Sequence, residues 1–294
     1  RGCASMAELA LSTVRTRRRA LPAGIAVPAI VVALYVVAAI AGPMLLGFDP
    51  VATSLANRLK PPMSVLADGS LSLLGTDAVG RDLLAQMLAG ARISLTVGAA
   101  TLLLASLIGV ALGVAAGYWG GWIDAILMRV ADIQLGFPSI LLAVLVAAVV
   151  GPSLTNVVLV LAVTRWVVFA RVARAQTLSV KARTFVDASR TLGASDLHII
   201  VNCILPALVA PILVVATVQF GLVIVAEASL SFLGLGLPVG IPTWGGTISA
   251  GRNYLANAWW ISTMPGIALS ILVICVGILG DTLRDRLDPN LVTR

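Results

Sequence analysis

His198 is the only histidine in the chain, and it lies in "DASRTLGASDLHIIVNCILP" (residues 187–206) with Asp187 and Asp196, the most polar long stretch of the second half. One histidine and two carboxylates could move a proton or hold a metal. A metal centre draws its ligands from a cluster, however, and no H-E-x-x-H pattern exists. The lysines offer no phosphate chemistry: Lys60 follows Leu59 and Lys181 follows Val180, whereas a P-loop needs lysine after glycine and before serine or threonine. Cys3, Cys203 and Cys275 are too few and too scattered for a disulfide framework or a zinc site. With no nucleophile beside a base, the sequence predicts no catalytic residue, no metal and no cofactor bound by this chain. His198 then reads as a solvated or partner-facing group, and the chemistry left to 187–206 is recognition.

The rest of the chain says where that recognition takes place. Of 294 residues, 59% are hydrophobic and 11% charged, with a mean hydropathy of +1.03. Soluble domains carry about 25% charged residues, so the apolar surface must be buried in lipid, and an all-α polytopic membrane protein is expected. The net charge of +7 comes without a basic patch interleaved with aromatics, which excludes nucleic acid as a partner.

A helix needs about 20 apolar residues to cross a bilayer core ~30 Å thick. Six segments answer to this, at 21–46, 93–117, 134–151, 154–171, 207–230 and 259–280, each apolar all round rather than striped. The first follows RTRRR and ends on small residues like a secretion signal, but its apolar run is longer than the ~7–15 residues of a cleaved signal, so a retained span is expected. Met6 is the candidate initiator.

With the amino terminus cytoplasmic, 15 of the 20 basic residues fall inside, among them Arg15, Arg17, Arg18, Arg19, Lys181 and Arg190, and five fall outside. The positive-inside bias therefore places both termini in the cytoplasm. The chain divides into a basic arm (1–20), a first span with an extracytoplasmic segment (21–92), a five-helix core (93–283) containing the internal segment 172–206, and a tail (284–294).

Gly109, Gly113, Gly117 and Gly121 recur every four residues, so they line one helix face and admit a second backbone. The six tryptophans mostly fall near span ends, where indole prefers the headgroup level. Arg165, Arg171 and Arg174 crowd the inner end of the fourth span, where snorkelling explains them. Glu227 is expected near the outer boundary, in a packing or gate-neighbour role. Outside, residues 47–92 carry Asp49, Asp68, Asp77 and Asp82 against Arg58, Lys60, Arg81 and Arg92. This is a balanced, hydrated surface which, with 235–258, either docks an extracytoplasmic partner or caps its own spans.

Within 172–206, Phe185, Ala188, Leu192, Ser195 and Ile199 are spaced to form one apolar helical face. Gly193 permits a sharp turn, and Pro206 suits the first turn of the next span. The pattern describes a short elbowed helix pair at the inner membrane face. Periodicity leaves open whether it docks a partner or is an ordinary interfacial loop.

The segment resembles the cytoplasmic signature of bacterial ABC-importer permeases: Glu-Ala-Ala, three residues, Gly, nine residues, Ile, one residue, Leu-Pro. Here Asp187-Ala188-Ser189, Gly193, Cys203 and Leu205-Pro206 keep the spacing, with aspartate for glutamate, serine for the second alanine and cysteine for isoleucine. "LGTDAVGRDLLAQMLAGARISLTVG" (74–98), "EASLSFLGLG" (227–236), "PTWGGTIS" (242–249) and "LGDTLRDRLDP" (279–289) are similar to the C-type permeases of dipeptide, oligopeptide and nickel importers.

That resemblance implies a type I ABC-importer permease fold with six spans, the last five forming the shared core. It implies a homologous second permease, two cytoplasmic ATPase domains that use ATP and Mg, and an extracytoplasmic substrate-binding protein. The elbow becomes a coupling helix: Asp187 meets a basic or polar group on the ATPase, Ala188 and Ser189 permit close approach, Gly193 makes the bend, and Ala194, Leu205 and Pro206 complete the set. The expected activity is peptide import across the bacterial inner membrane, with nickel or another small solute as the alternative cargo. An ion-coupled secondary transporter is the rival of another class, and it calls for an internal repeat and buried ionisable groups at the midplane.

Overall fold

The computed structural model describes residues 23–45, 49–238 and 240–287. The basic arm with Cys3 and Met6, and the tail from residue 288, lie outside the described residues. Among the described residues, ten α-helices follow in order: α1 (Ala23–Leu45), α2 (Leu83–Trp119), α3 (Gly121–Leu135), α4 (Ser139–Val150), α5 (Leu154–Lys181), α6 (Thr184–Thr191), α7 (Asp196–Ile199), α8 (Leu205–Phe232), α9 (Trp244–Gly251) and α10 (Trp260–Leu287). A small antiparallel hairpin, β1 (Ser64–Val65) with β2 (Leu71–Ser72), sits between α1 and α2.

Local chemistry sets the helix ends. The Asp82 carboxylate accepts the Ala85 N–H and starts α2, and Gly120, at φ +65°, ends it in a conformation that favours glycine. Between them α2 runs for 37 residues, about 55 Å at 1.5 Å per residue, well beyond the bilayer core. Ser153 caps α5 by accepting the Asn156 N–H at 3.0 Å.

Among the described residues, five helical runs are long and apolar enough to span a membrane. The third expected span, 134–151, is not one helix. α4 covers only Ser139–Val150 of it, and α3 meets α4 at 88°, so a sixth crossing requires the bent pair. Gly136 and Pro138 stand at the break, where proline disfavours continuing the helix through its predecessor. The charges of α3 hid a helix that lies along α5, gripped by Asp124–Arg174 and Asp132–Arg171 ion pairs.

The main core is shared by α2, α5 and α8, with α4 against it. α2 packs against α5 through the predicted glycine row. A Cβ on Gly109 would stand 2.5 Å from the Trp166 carbonyl oxygen, one on Gly117 would stand 2.8 Å from Thr177 Cβ, and one on Gly113 would overlap the Ala170 carbonyl. Gly121 does not belong to this row. It begins α3 at φ +54° with open space around it, and so serves the turn. α1 is peripheral, resting on α2 and α10 with Tyr35 donating to the Ala268 carbonyl.

The tryptophan expectation is corrected for three of the six. Trp166, Trp244 and Trp260 are buried and donate to Gln134 Oε1, the Met87 carbonyl and the Thr76 carbonyl. Each fastens two elements together because a buried indole N–H must find an acceptor.

Residues 49–82 form a compact cap at the end of the bundle where α2 begins. It is less hydrated than its charge count suggests. Asp77 is buried and accepts the backbone N–H groups of Val79 and Arg81, Arg81 Nε at 2.7 Å and Gln86 Nε2 at 3.1 Å. Asp82 accepts Ser72 Oγ as well as capping α2. Asp68 remains at the surface, its carboxyl held below the usual range by the Ser70 hydroxyl.

Candidate functional site

At the opposite end of the bundle, α5 passes into α6 through a tight turn at Ala182–Arg183. α6 runs only from Thr184 to Thr191 and stops at a defined device. The Gly193 N–H donates to the Arg190 carbonyl at 2.9 Å and the Ala194 N–H to the Ser189 carbonyl at 3.0 Å, with Gly193 at φ +86°. These are the paired bonds of a Schellman ending. A Cβ on Gly193 would meet nothing within 4 Å, so glycine is required there for its backbone and not for space. The Ser195 hydroxyl then accepts the His198 N–H and starts α7, and the chain turns back toward the bundle.

The return is continuous. A five-residue π-helical segment, Ile200–Ile204, links α7 to α8, so that one run extends from Asp196 to Phe232. Pro206 therefore lies within a through-going rod rather than at a fresh helix start. In a regular helix its ring would crowd the Asn202 carbonyl and could not donate to it, and the widened turn just before it absorbs that mismatch. The second arm of the elbow and α8 thus form one continuous rod.

The expected apolar face is redrawn. Val186 and Ile199 are the buried anchors, packing with Val114, Val180 and Ile204. Phe185, Ala188 and Leu192 face out, and Ser195 caps. The turn at Gly193 breaks the helical repeat, so positions counted across it do not share a face. Two leucines on either side of the bend are left strongly exposed, Leu192 at 88% and Leu197 at 71%. Asp187 is exposed beside them, and Ser189 Oγ donates to the Phe185 carbonyl. His198 is also exposed, its ring Nδ1 3.1 Å from Asn202 Nδ2.

One residue that the sequence reading passed over ties the elbow down. Tyr118, in the last turn of α2, donates its hydroxyl to Asp196 and receives Arg190 Nη2 at 3.4 Å. Its carbonyl accepts Lys181 Nζ. Lys181 and Arg190 also lie 5.3 and 5.7 Å from the Tyr118 ring centroid, within range of a cation–π attraction. A single side chain thus joins α2, the end of α5 and both arms of the elbow. A tyrosine at the polar end of a long apolar helix was the available signal.

Residues 109–293 match the family described as binding-protein-dependent transport system inner membrane component. The chain belongs to that family. Among its relatives, a Brucella suis biovar 1 (strain 1330) protein named as a peptide transport system permease is 42% identical over 94% of this chain and 89% of its own. The di/tripeptide transport system permease of Pseudomonas aeruginosa (strain UCBPP-PA14) is 37% identical over 88% of this chain and 85% of its own. The inward-facing MetNI methionine ABC transporter gives the fold: TM-score 0.56 at 18% identity, covering 69% of this chain and 96% of that one. The architecture is the type I ABC-importer permease fold, in a multi-pass membrane protein.

The remaining candidate residues sit elsewhere in this permease. Glu227, expected near the outer boundary in a packing or gate-neighbour role, lies five residues from the C-terminal end of α8. It is 0% exposed on α8, and its two oxygens accept Ser231 Oγ at 2.8 Å and Ser94 Oγ at 2.9 Å. It therefore bolts α8 to α2, a packing role, because a buried carboxylate is tolerated only with donors on it. The arginine expectation also changes. α5 continues ten residues past the expected end of the span at 171, so Arg165 lies in mid-helix, while Arg171 and Arg174 are held by α3 rather than snorkelling.

Proposed function

We propose that this chain is the transmembrane permease subunit of an ATP-driven importer for di- or oligopeptides in the bacterial inner membrane, with both termini in the cytoplasm. The observation that carries the coupling role is the elbow itself: a Schellman bend with exposed Leu192, Leu197 and Asp187 at its tip, continuous with the α8 rod. An apolar tip beside a carboxylate suits a groove that buries the leucines and answers Asp187 with a basic group.

Partner ATPase subunits bind and hydrolyse ATP with Mg. Closure of their two nucleotide domains displaces the elbow, Tyr118 and α8 pass that displacement to α2 and the span layer, and the bundle rocks between two packed states. A homologous second permease completes the pathway, and a substrate-binding protein delivers cargo at the cap. The peptide assignment draws on the names of the relatives, which match 88–94% of this chain at 37–42% identity.

The test is ATP-dependent uptake of labelled dialanine by the assembled importer in proteoliposomes, alongside its ATPase rate. Gly193→Pro removes the N–H that closes the bend and forbids φ +86°, and Asp187→Lys reverses the tip charge. Each should abolish uptake while the permease stays inserted. Full uptake by either variant would refute the coupling role.

A further inference from the structure

A cavity of about 740 Å³ lies between α5, α8 and α10. Val168, Val172 and Val214 give it apolar walls, Asp281 and Arg284 add charged groups from α10, and its inner end is the one at Gln219, the lining residue of α8 farthest from the elbow. Arg165 stands one helical turn beyond Val168 on the same face of α5.

The bonding of Arg165 is anomalous for its position. Arg81, Arg171 and Arg174 each hold a carboxylate, but among the described residues Arg165 holds none. Its Nη1 reaches Gln219 Oε1 at 3.4 Å, the long limit of a hydrogen bond, and its Nε is buried without a hydrogen-bond partner. Arg165 and the buried Gln219 both lie near the middle of 28-residue helices. A guanidinium set between helices without a carboxylate beside it is costly, and ionisable residues within membrane-spanning helices mark solute or ion paths. The Arg165 guanidinium therefore has donors left over beside the Gln219 end of the cavity. The solute group that matches a guanidinium fork is a carboxylate.

We propose that Arg165, steadied by Gln219, is a carboxylate-binding station on the transport path, receiving the C-terminal carboxylate of the cargo at the inner end of this cavity. This rests on the import reading above, since the C-terminal carboxylate is the group that unmodified linear peptides have in common. The loose hold of Gln219 suits the role: the guanidinium is aimed but not neutralised, and a station on a path must also release its occupant.

The experiment compares ATP-driven uptake of dialanine and of dialaninamide, which lacks the carboxylate, by the assembled importer in proteoliposomes. The binding protein is the same for every variant, so its own preference cancels from any change in the acid-to-amide ratio. Arg165→Gln should lower dialanine uptake about tenfold, the loss of one charge-assisted bond, and leave dialaninamide near wild type. Arg165→Lys should recover part of the ratio. Gln219→Glu, which sets a carboxylate beside Arg165, should lower the same ratio and serves where Arg165→Gln fails to assemble.

An unchanged ratio, whether both cargoes fall together or neither changes, would make Arg165 a packing residue or the partner of an acid on the second permease, and would overturn the proposal. A wild-type complex that moves neither cargo overturns the peptide reading and takes this inference with it. A working wild type with an unaltered ratio in the variants overturns the inference alone.

Discussion

The two ends of this bundle treat polar groups in opposite ways. In the cap, Asp77, Asp82, Thr76 and Asn57 turn inward and are saturated by neighbouring donors and acceptors: Asn57 Oδ1 takes the Ala67 N–H at 2.8 Å, and Thr76 Oγ1 takes the Lys60 N–H at 2.8 Å. At the elbow, Asp187 and His198 turn outward along with Leu192 and Leu197, and the segment is anchored through Val186, Ile199 and one tyrosine. A saturated network resists movement, and a segment hung on few anchors can be moved by a partner. The cap is fixed by its own network, and under the proposed function the elbow is the part that is displaced.

This contrast can be broken by substitution. The largest stability effect belongs to the cap. Asp77→Ala leaves the Arg81 guanidinium and the buried Gln86 amide without their acceptor, which should cost about 3–5 kcal/mol and open residues 49–82 to protease; a thermal-unfolding series with limited proteolysis reads it. Tyr118→Phe keeps the ring and its cation contacts but removes the hydroxyl between Asp196 and Arg190. The loss should be about 1.5–3 kcal/mol, since both partners are charged, and uptake should fall more than ATPase activity. Unchanged uptake would show that Val186 and Ile199 carry the elbow without it. Gly193→Ala has room for its methyl and pays only the left-handed backbone, about 1–2 kcal/mol, so it should slow transport where Gly193→Pro stops it. Smallest in stability is Leu192→Ser at the exposed tip: unfolding should move by less than about 0.5 kcal/mol, yet co-purification with the ATPase should weaken. A variant that unfolds early but binds its partner normally would reverse the assignment of this residue.

Much of this was legible without coordinates. The spans could be read because lipid imposes one rule on every residue of a crossing helix, and the Gly109–Gly113–Gly117 row because a four-residue spacing keeps side chains on one face. Gly193 could be read because the left-handed turn selects its residue type locally. α3 escaped because Asp124, Arg129 and Asp132 look like a loop until Arg171 and Arg174, about forty and fifty residues on in the chain, neutralise two of them. Tyr118 escaped for the same reason: its partners are more than sixty residues away.

The sequence by itself determined that the chain lives in lipid, which windows are apolar enough to be buried there, and where the chain bends at Gly193, since hydrophobic length and backbone permissiveness are properties of short windows. Only the tertiary structure decided which polar groups are satisfied. Glu227 found two serines, Asp77 found an arginine and a glutamine, and Arg165 was left with a single long bond. Hydrogen-bond satisfaction depends on atoms brought together from distant windows, and it separates a buried carboxylate that bolts two helices from a half-buried guanidinium beside a cavity.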